Sequence, residues 1–417
     1  MKRRIHYAWF VAAVTFVILL SAAAVRATPS LLIVPLNKEL GWSTALISGA
    51  VSVNLVLFGL IGPFAAAVMQ RFGIRRTVLA ALVVIAAGVE TASFVREPWQ
   101  LYASWGVIVG LSTGVTASVL GATIAQRWFV ARRGLVVGVL SASVATGQLV
   151  FLPLLASLTD HFGWRVGLSF ICVLLAVAAF VVFMVLRDRP SDVGLRPYGD
   201  KSSEPQVTPA PNKAPIMAAA LGTLRDASRS GVFWILFATF FVCGASTNGL
   251  VQVHLIPMCL DFGIPQVQAA SLLAAMGIFD FFGTIGSGWL SDRFDNRWLL
   301  FWYYGLRGLS LVALPFTDFS FYGLSLFAMF YGLDWIATVP PTVRLTAQRF
   351  GSERANLVFG WIFAGHQIGA ATAAFGAGLS RTLLATYLPA FFAAGALCLI
   401  AAAIVLTISR HPKPVLA

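Results

Sequence analysis

The chain has 417 residues, of which 59% are hydrophobic and only 11% charged. A water-soluble globule covers its surface with roughly a quarter of its residues as charges, so a soluble enzyme is excluded and a membrane protein indicated. The net charge of +13 takes its meaning from where the basic residues fall relative to the apolar runs.

A helix needs about 20 apolar residues to cross ~30 Å of hydrocarbon. Twelve runs qualify: 7–34, 44–68, 77–95, 100–126, 134–158, 165–186, 232–258, 267–290, 298–316, 321–347, 355–379 and 387–409. The first follows Met1-Lys2-Arg3-Arg4 and is too long for the apolar part of a cleaved leader, so it is read as a retained span. An even number of spans returns both termini to one side. With the N-terminus in the cytoplasm, 22 basic residues fall in inside segments and four, Lys38, Arg96, Arg165 and Arg381, in outside ones. This asymmetry predicts cytoplasmic termini in a cytoplasmic (inner) membrane, and it accounts for the net charge without nucleic acid.

One polar stretch, Arg187 to Ser230, separates six spans from six. Its prolines (190, 197, 205, 209, 211 and 215) argue against continuous helix. Short matches at a constant offset of 222 residues support the same division: Arg71-Phe72 with Arg293-Phe294, and Gln126-Arg127 with Gln348-Arg349. The expected organisation is a six-helix bundle over 1–186, a cytoplasmic linker loop over 187–230 and a second bundle over 231–417. The two bundles form parallel repeats, an architecture of transporters.

Charges inside a span are costly and normally face a cavity or a partner. Six are found: Arg26, Glu90, Asp280, Arg307, Asp334 and Arg344. Arg26, two-thirds along the first span, offers a planar fork for a carboxylate. Asp280, near mid-membrane, can load a proton on one side and release it on the other, or pair with Arg307 on the next span. Arg307 with Asp334 reads as a structural pair within the same proton-coupling group, while Arg344 and Glu90 read as snorkelling toward span ends. Among neutral groups, Asn248 and Gln252 stand one turn apart on the seventh span, and Gln148 and His366 are further candidates for substrate contact. Gly59, Gly62 and Pro63, and separately Pro340-Pro341, mark places where a helix is expected to bend or break. Gly110 with Gly114, and Gly365 with Gly369, have the spacing of close helix contacts. Four scattered cysteines form no disulfide framework or metal motif, and no phosphate-binding loop is present. No cofactor is expected.

The loop Gly288-Trp289-Leu290-Ser291-Asp292-Arg293-Phe294 resembles the G-x-x-x-D-R-x-G loop of the major facilitator superfamily. Its first-half counterpart runs from Ala66 to Arg76 and has Gln70 in place of the Asp. The resemblance implies twelve transmembrane helices and a gating loop that includes Arg71, Arg75, Gly288, Asp292 and Arg293. His6-Tyr7-Ala8-Trp9, Val25-Arg26-Ala27, Leu40-Gly41-Trp42-Ser43 and Arg189-Pro190-Ser191-Asp192-Val193-Gly194-Leu195 resemble the prokaryotic branch of monocarboxylate transporters and oxalate/formate antiporters. In animal monocarboxylate transporters a basic residue of the first span works with an Asp of the eighth, which implies that role for Arg26 with Asp280. Those relatives have an Arg one turn later, where this chain has Thr284.

The expectation is an all-α membrane protein that is not an enzyme. It would be a secondary transporter moving a small organic anion, a monocarboxylate, with a proton, its partners being substrate, protons and lipid. A monomer is expected, because two six-helix halves enclose a complete site. The alternative is a proton-coupled exporter of an apolar or cationic compound.

Overall fold

The computed structural model describes residues 6–116, 118–200, 216–317 and 319–409. The basic residues Lys2, Arg3, Arg4, Lys201, Lys213, Arg410 and Lys413, and the prolines at 205, 209, 211 and 215, lie outside the described residues.

The architecture is all-α, as hydrocarbon requires of a chain that must satisfy its own backbone groups. The first span is α1 (Tyr7–Ala27) followed by α2 (Pro29–Leu40), and the second is α3 (Thr44–Phe72). The third is α4 (Ile74–Ser93). The fourth comprises α5 (Pro98–Leu101), a π-helical stretch Tyr102–Val109, α6 (Gly110–Val115) and α7 (Ser118–Trp128). The fifth and sixth are α8 (Arg133–Phe162) and α9 (Trp164–Val185). A short α10 (Ile216–Ala227) precedes the seventh span, which is α11 (Gly231–Gly244), a π-helical stretch Ala245–Val251 and α12 (Gln252–Asp261). Then come α13 (Gln266–Ser291) and α14 (Asn296–Ala313), the tenth span divided into α15 (Phe321–Asp334) and α16 (Val339–Phe350), and finally α17 (Ser352–Leu384) and α18 (Leu388–Val405). Among the described residues, eleven helical rods are long and apolar enough to cross a membrane. The thirty-residue α8 takes the place of the fifth expected span.

Among the described residues the most extensive packing of the first six spans on the last six is of α3 along α17, α8 along α13, and α2 against α12. The Ser52 hydroxyl donates to the Ala371 carbonyl (2.8 Å), and the Ala45 N–H to the Thr382 hydroxyl (3.0 Å), along the α3–α17 seam. The connecting segment is more structured than a loop. Between Pro215 and the seventh span there is no proline, and α10 forms and packs on both α3 and α17, with Trp361 Nε1 donating to the Ala220 carbonyl (2.9 Å). At the other end of the segment, Tyr198 bonds the backbone at Trp128 and Val130 and packs on the rings of Trp9 and Phe129.

The expected breaks divide. The tenth span is interrupted just before Pro340-Pro341, whereas α3 runs unbroken through Gly59, Gly62 and Pro63. Gly59 instead admits the side chain of Gln367, so the absence of a Cβ serves packing. The small-residue spacings act as contacts: Gly110 and Gly114 meet α3 at Asn54 and Ile61, and Gly365 and Gly369 meet α11 at Phe237 and Phe241. A Cβ on Gly369 would overlap the Phe241 carbonyl oxygen. Gly369→Val is therefore expected to destabilise the protein by about 1–3 kcal/mol, the usual penalty for overpacking, read as a lower unfolding midpoint in detergent. An unchanged midpoint would contradict the close α11–α17 contact.

Candidate functional site

The first span is broken at Thr28, whose N–H bonds the Val25 carbonyl (3.3 Å) and whose hydroxyl bonds that of Ala24 (2.9 Å); Pro29, with no N–H to leave unpaired, opens α2. Arg26 lies in the last turn before this break, where its side chain enters a cavity between the two sets of spans. Its guanidinium carbon is 4.6 Å from the centre of the Phe58 ring, a cation–π contact. Among the described residues no carboxylate forms an ion pair with it.

The polar side chains sharing this cavity are Asn54, Thr113, Gln148, Asn248 and Gln252, and the rest of the wall is apolar, including Phe58 and Trp105. Among the described residues no acid lines it. The cavity volume is about 30 Å³, room for one or two waters. Gln148 Nε2 donates to Gln252 Oε1 at 3.0 Å, joining α8 to α12 across the cavity, and Gln252 Nε2 is buried without a partner. Asn248 belongs to the π-helical stretch and Gln252 opens α12, so both face the cavity. Sequence reading passes over Asn54, which donates to the Trp105 carbonyl (2.7 Å). An amide in an apolar run, the signal that singles out Asn248, would have found it.

His366 does not line this cavity. Its ring lies between Phe240 (4.8 Å between centres) and Phe363 (5.6 Å), and the backbone there approaches α11 closely at Gly244. His366, a candidate for substrate contact, thus stands off this cavity, packed against Gly244 where α17 meets α11.

A second polar cluster surrounds the break in the tenth span. The prolines at 340 and 341 supply no N–H to the carbonyls four residues earlier, so the exposed backbone must be satisfied from elsewhere. Arg307 on α14 donates through Nε to Asp334 Oδ2 (2.6 Å), through Nη2 to the carbonyls of Asp334 (2.5 Å) and Trp335 (3.2 Å), and through Nη1 to Cys243 Sγ (3.0 Å). The Ser287 hydroxyl donates to the Ala337 carbonyl (2.5 Å). Asp280 Oδ1 accepts from the Ile336 N–H (2.9 Å) and from Thr284 Oγ1 (3.0 Å). The alternative expectation for Asp280, a pair with Arg307, is not what the structure shows: Arg307 pairs with Asp334. Asp280 is buried, makes no ion pair among the described residues and stands off the central cavity.

The loop residues are also placed. Asp292 forms an ion pair with Arg344, so Arg344 does not simply snorkel. Arg293 lies over the Trp289 ring (4.0 Å), and Arg71 over that of Phe72 (5.5 Å), while a Cβ on Gly288 would stand in open space. Arg75 turns to the end of the sixth span: its N–H is accepted by Asp188 (2.7 Å), and Nη2 donates to the Phe183 carbonyl (2.6 Å). Asp188 thus caps the start of α4 near the place where Gln70 leaves the loop without an acid.

Removing one partner of a buried ion pair costs about 3–5 kcal/mol, whereas replacing both by apolar groups is far milder. Arg307→Met is expected to lower the unfolding midpoint more than Arg307→Met combined with Asp334→Leu does. A double variant no more stable than the single one would show that the Arg307 contacts to the backbone, rather than the pair, carry the cost.

The model of the Major Facilitator Superfamily matches residues 14–374. An uncharacterized MFS-type transporter, YcxA, of Bacillus subtilis (strain 168) is 23% identical over 388 residues, covering 91% of this chain and 90% of that one. Monocarboxylate transporter 13 of Bos taurus is 26% identical over 368 residues, covering 87% and 80%. The crystal structure of a D-xylose-proton symporter superposes with a TM-score of 0.75 at 15% identity, over 98% of this chain and 99% of that one, which shows the shared fold. With its helices arranged as in that symporter and its sequence matched from the first span to the eleventh, the chain belongs to the Major Facilitator Superfamily and is a transporter, not an enzyme.

Proposed function

We propose that the protein moves a small monocarboxylate together with a proton across the cytoplasmic membrane, by alternating exposure of the central cavity. The observation that carries this reading is Arg26: a cation without an acidic partner among the described residues, directed into a cavity whose other polar groups are amides and a hydroxyl. A carboxylate neutralises it through two parallel hydrogen bonds. Sequence similarity to monocarboxylate transporters supports the same class. The competing reading, export of a cation, loses support because no acid among the described residues lines the cavity and Arg26 would repel the cargo.

Asp280 is the proposed proton carrier. It is an acid inside the bundle with no basic partner among the described residues, so its proton can come and go without a fixed ion pair opposing it. Arg307 and Asp334 serve as the clasp of the tenth span beside it. The two halves, 1–186 and 231–417, rock about the cavity, with 187–230 connecting them on the cytoplasmic side.

Uptake of labelled lactate, pyruvate, glycolate, formate and longer 2-oxo acids into proteoliposomes tests the reading. Saturable uptake of one acid, stimulated by an inward proton gradient above that of protein-free liposomes, is expected. Arg26→Gln should abolish the saturable component, and Asp280→Asn should keep exchange while losing gradient-driven accumulation. Accumulation unchanged in either variant removes that residue from the cycle; no flux with any acid in folded protein removes the carboxylate.

A further inference from the structure

The hydrogen bond between Gln148 and Gln252 connects residues 104 positions apart, one on α8 and one at the start of α12. It is thus a polar bond between the first six spans and the last six, formed inside the cavity that holds Arg26. Gln252 is 9% exposed, its Oε1 is taken by Gln148, and its Nε2 has no partner. A buried amide donor without an acceptor is costly, so this is a site short of one acceptor.

We propose that the Gln148–Gln252 bond is a tie between the two halves that a bound carboxylate undoes, so that the empty carrier is held and the loaded one is free to move. The inference rests on the reading of Arg26 as the grip for the anion. A carboxylate has about four lone-pair sites, of which a guanidinium fork occupies two. The other two are left for the amides that share the cavity with Arg26. An ionised acceptor draws an N–H more strongly than an amide oxygen does, so Gln148 Nε2 leaves Gln252 Oε1 for the anion, and the idle Gln252 Nε2 supplies a second donor. Space favours the same exchange: with the tie closed the cavity is about 30 Å³, so an organic acid enters only as its walls move apart. The packing of α2 on α12 involves the same helix as Gln252, so releasing the amide loosens a helix that joins the two halves.

Two measurements test the tie. In proteoliposomes at saturating substrate, the ratio of exchange to net efflux of one labelled acid reports how strongly the empty carrier is held. Gln148→Leu and Gln252→Leu are each expected to lower this ratio by about two- to tenfold, the factor that one neutral hydrogen bond is worth. Because both remove the same bond, the double variant should lower it no further. Net efflux should rise rather than fall, a direction that general damage to the fold does not produce. The second measurement needs no transport. Spin labels at Lys38→Cys and Gln268→Cys, both exposed at the end where α2 meets α12, are placed in a background with Cys172→Ser, the partly exposed thiol. In the substrate-free protein Gln148→Leu should shift the distance distribution toward longer separations than in the parent.

If the leucine variants carry no flux, the labels decide: longer separations support the tie and an unchanged distribution overturns it. The two ways of failing are distinct. No saturable flux in the unmodified protein removes the carboxylate reading, and with it the anion as displacing ligand. Flux in the unmodified protein, with ratio and distances both unaltered in Gln148→Leu, removes the tie alone.

Discussion

Inside hydrocarbon every backbone N–H and C=O must find its partner within the protein, and the interruptions of the first, seventh and tenth spans show how this constraint shapes the molecule. At Thr28 the first span breaks beside Arg26. In the seventh, the π-helical stretch Ala245–Val251 carries Asn248 and hands over to Gln252. In the tenth, the gap between Asp334 and Val339 leaves carbonyls that Arg307 and Ser287 must satisfy. Each interruption therefore comes with polar side chains that would otherwise be too costly to keep in the membrane. The polar groups available for transport are gathered by the backbone's own need.

The two clusters differ in chemistry. Among the described residues the central cavity has one cation, several amides and no acid, and it suits an anion. The cluster at the tenth span has two carboxylates and one guanidinium, with the guanidinium committed to Asp334 and to backbone carbonyls. Asp280 remains as the acid whose partners are a hydroxyl and an N–H. This separation places the proposed proton site and the proposed substrate site on different helices, so coupling between them has to pass through the packing of the spans. A direct Arg26–Asp280 contact is not part of the structure.

The loops at the linker end show how an interaction can be rebuilt when a residue is exchanged. Gln70 stands where the superfamily loop has its acid, and the start of α4 is capped instead by Asp188, from just beyond the sixth span. The repeat-related acid Asp292 is present in the second half and pairs with Arg344. The two halves, similar in outline, thus use different side chains at the same end.

Composition and the spacing of apolar runs were enough to determine the all-α membrane architecture, because the thickness of the bilayer sets the length of a span irrespective of its neighbours. The cost of burying polar groups likewise marked Arg26, Gln148, Asn248, Gln252 and Asp280 as noteworthy in the sequence alone. Which of them meet was decided by tertiary structure. Gly244 lets α17 approach α11 and carries His366 off the cavity, while Gly59 admits Gln367 where a bend in α3 is expected. Arg307 selects Asp334 over Asp280 because the broken backbone of the tenth span offers it carbonyls at the same place. Asn54 enters the cavity wall through its bond to Trp105. Such outcomes depend on how each helix is rotated about its axis against its neighbours, and that rotation is set by the close packing of small and large side chains from distant parts of the chain, which no local pattern records.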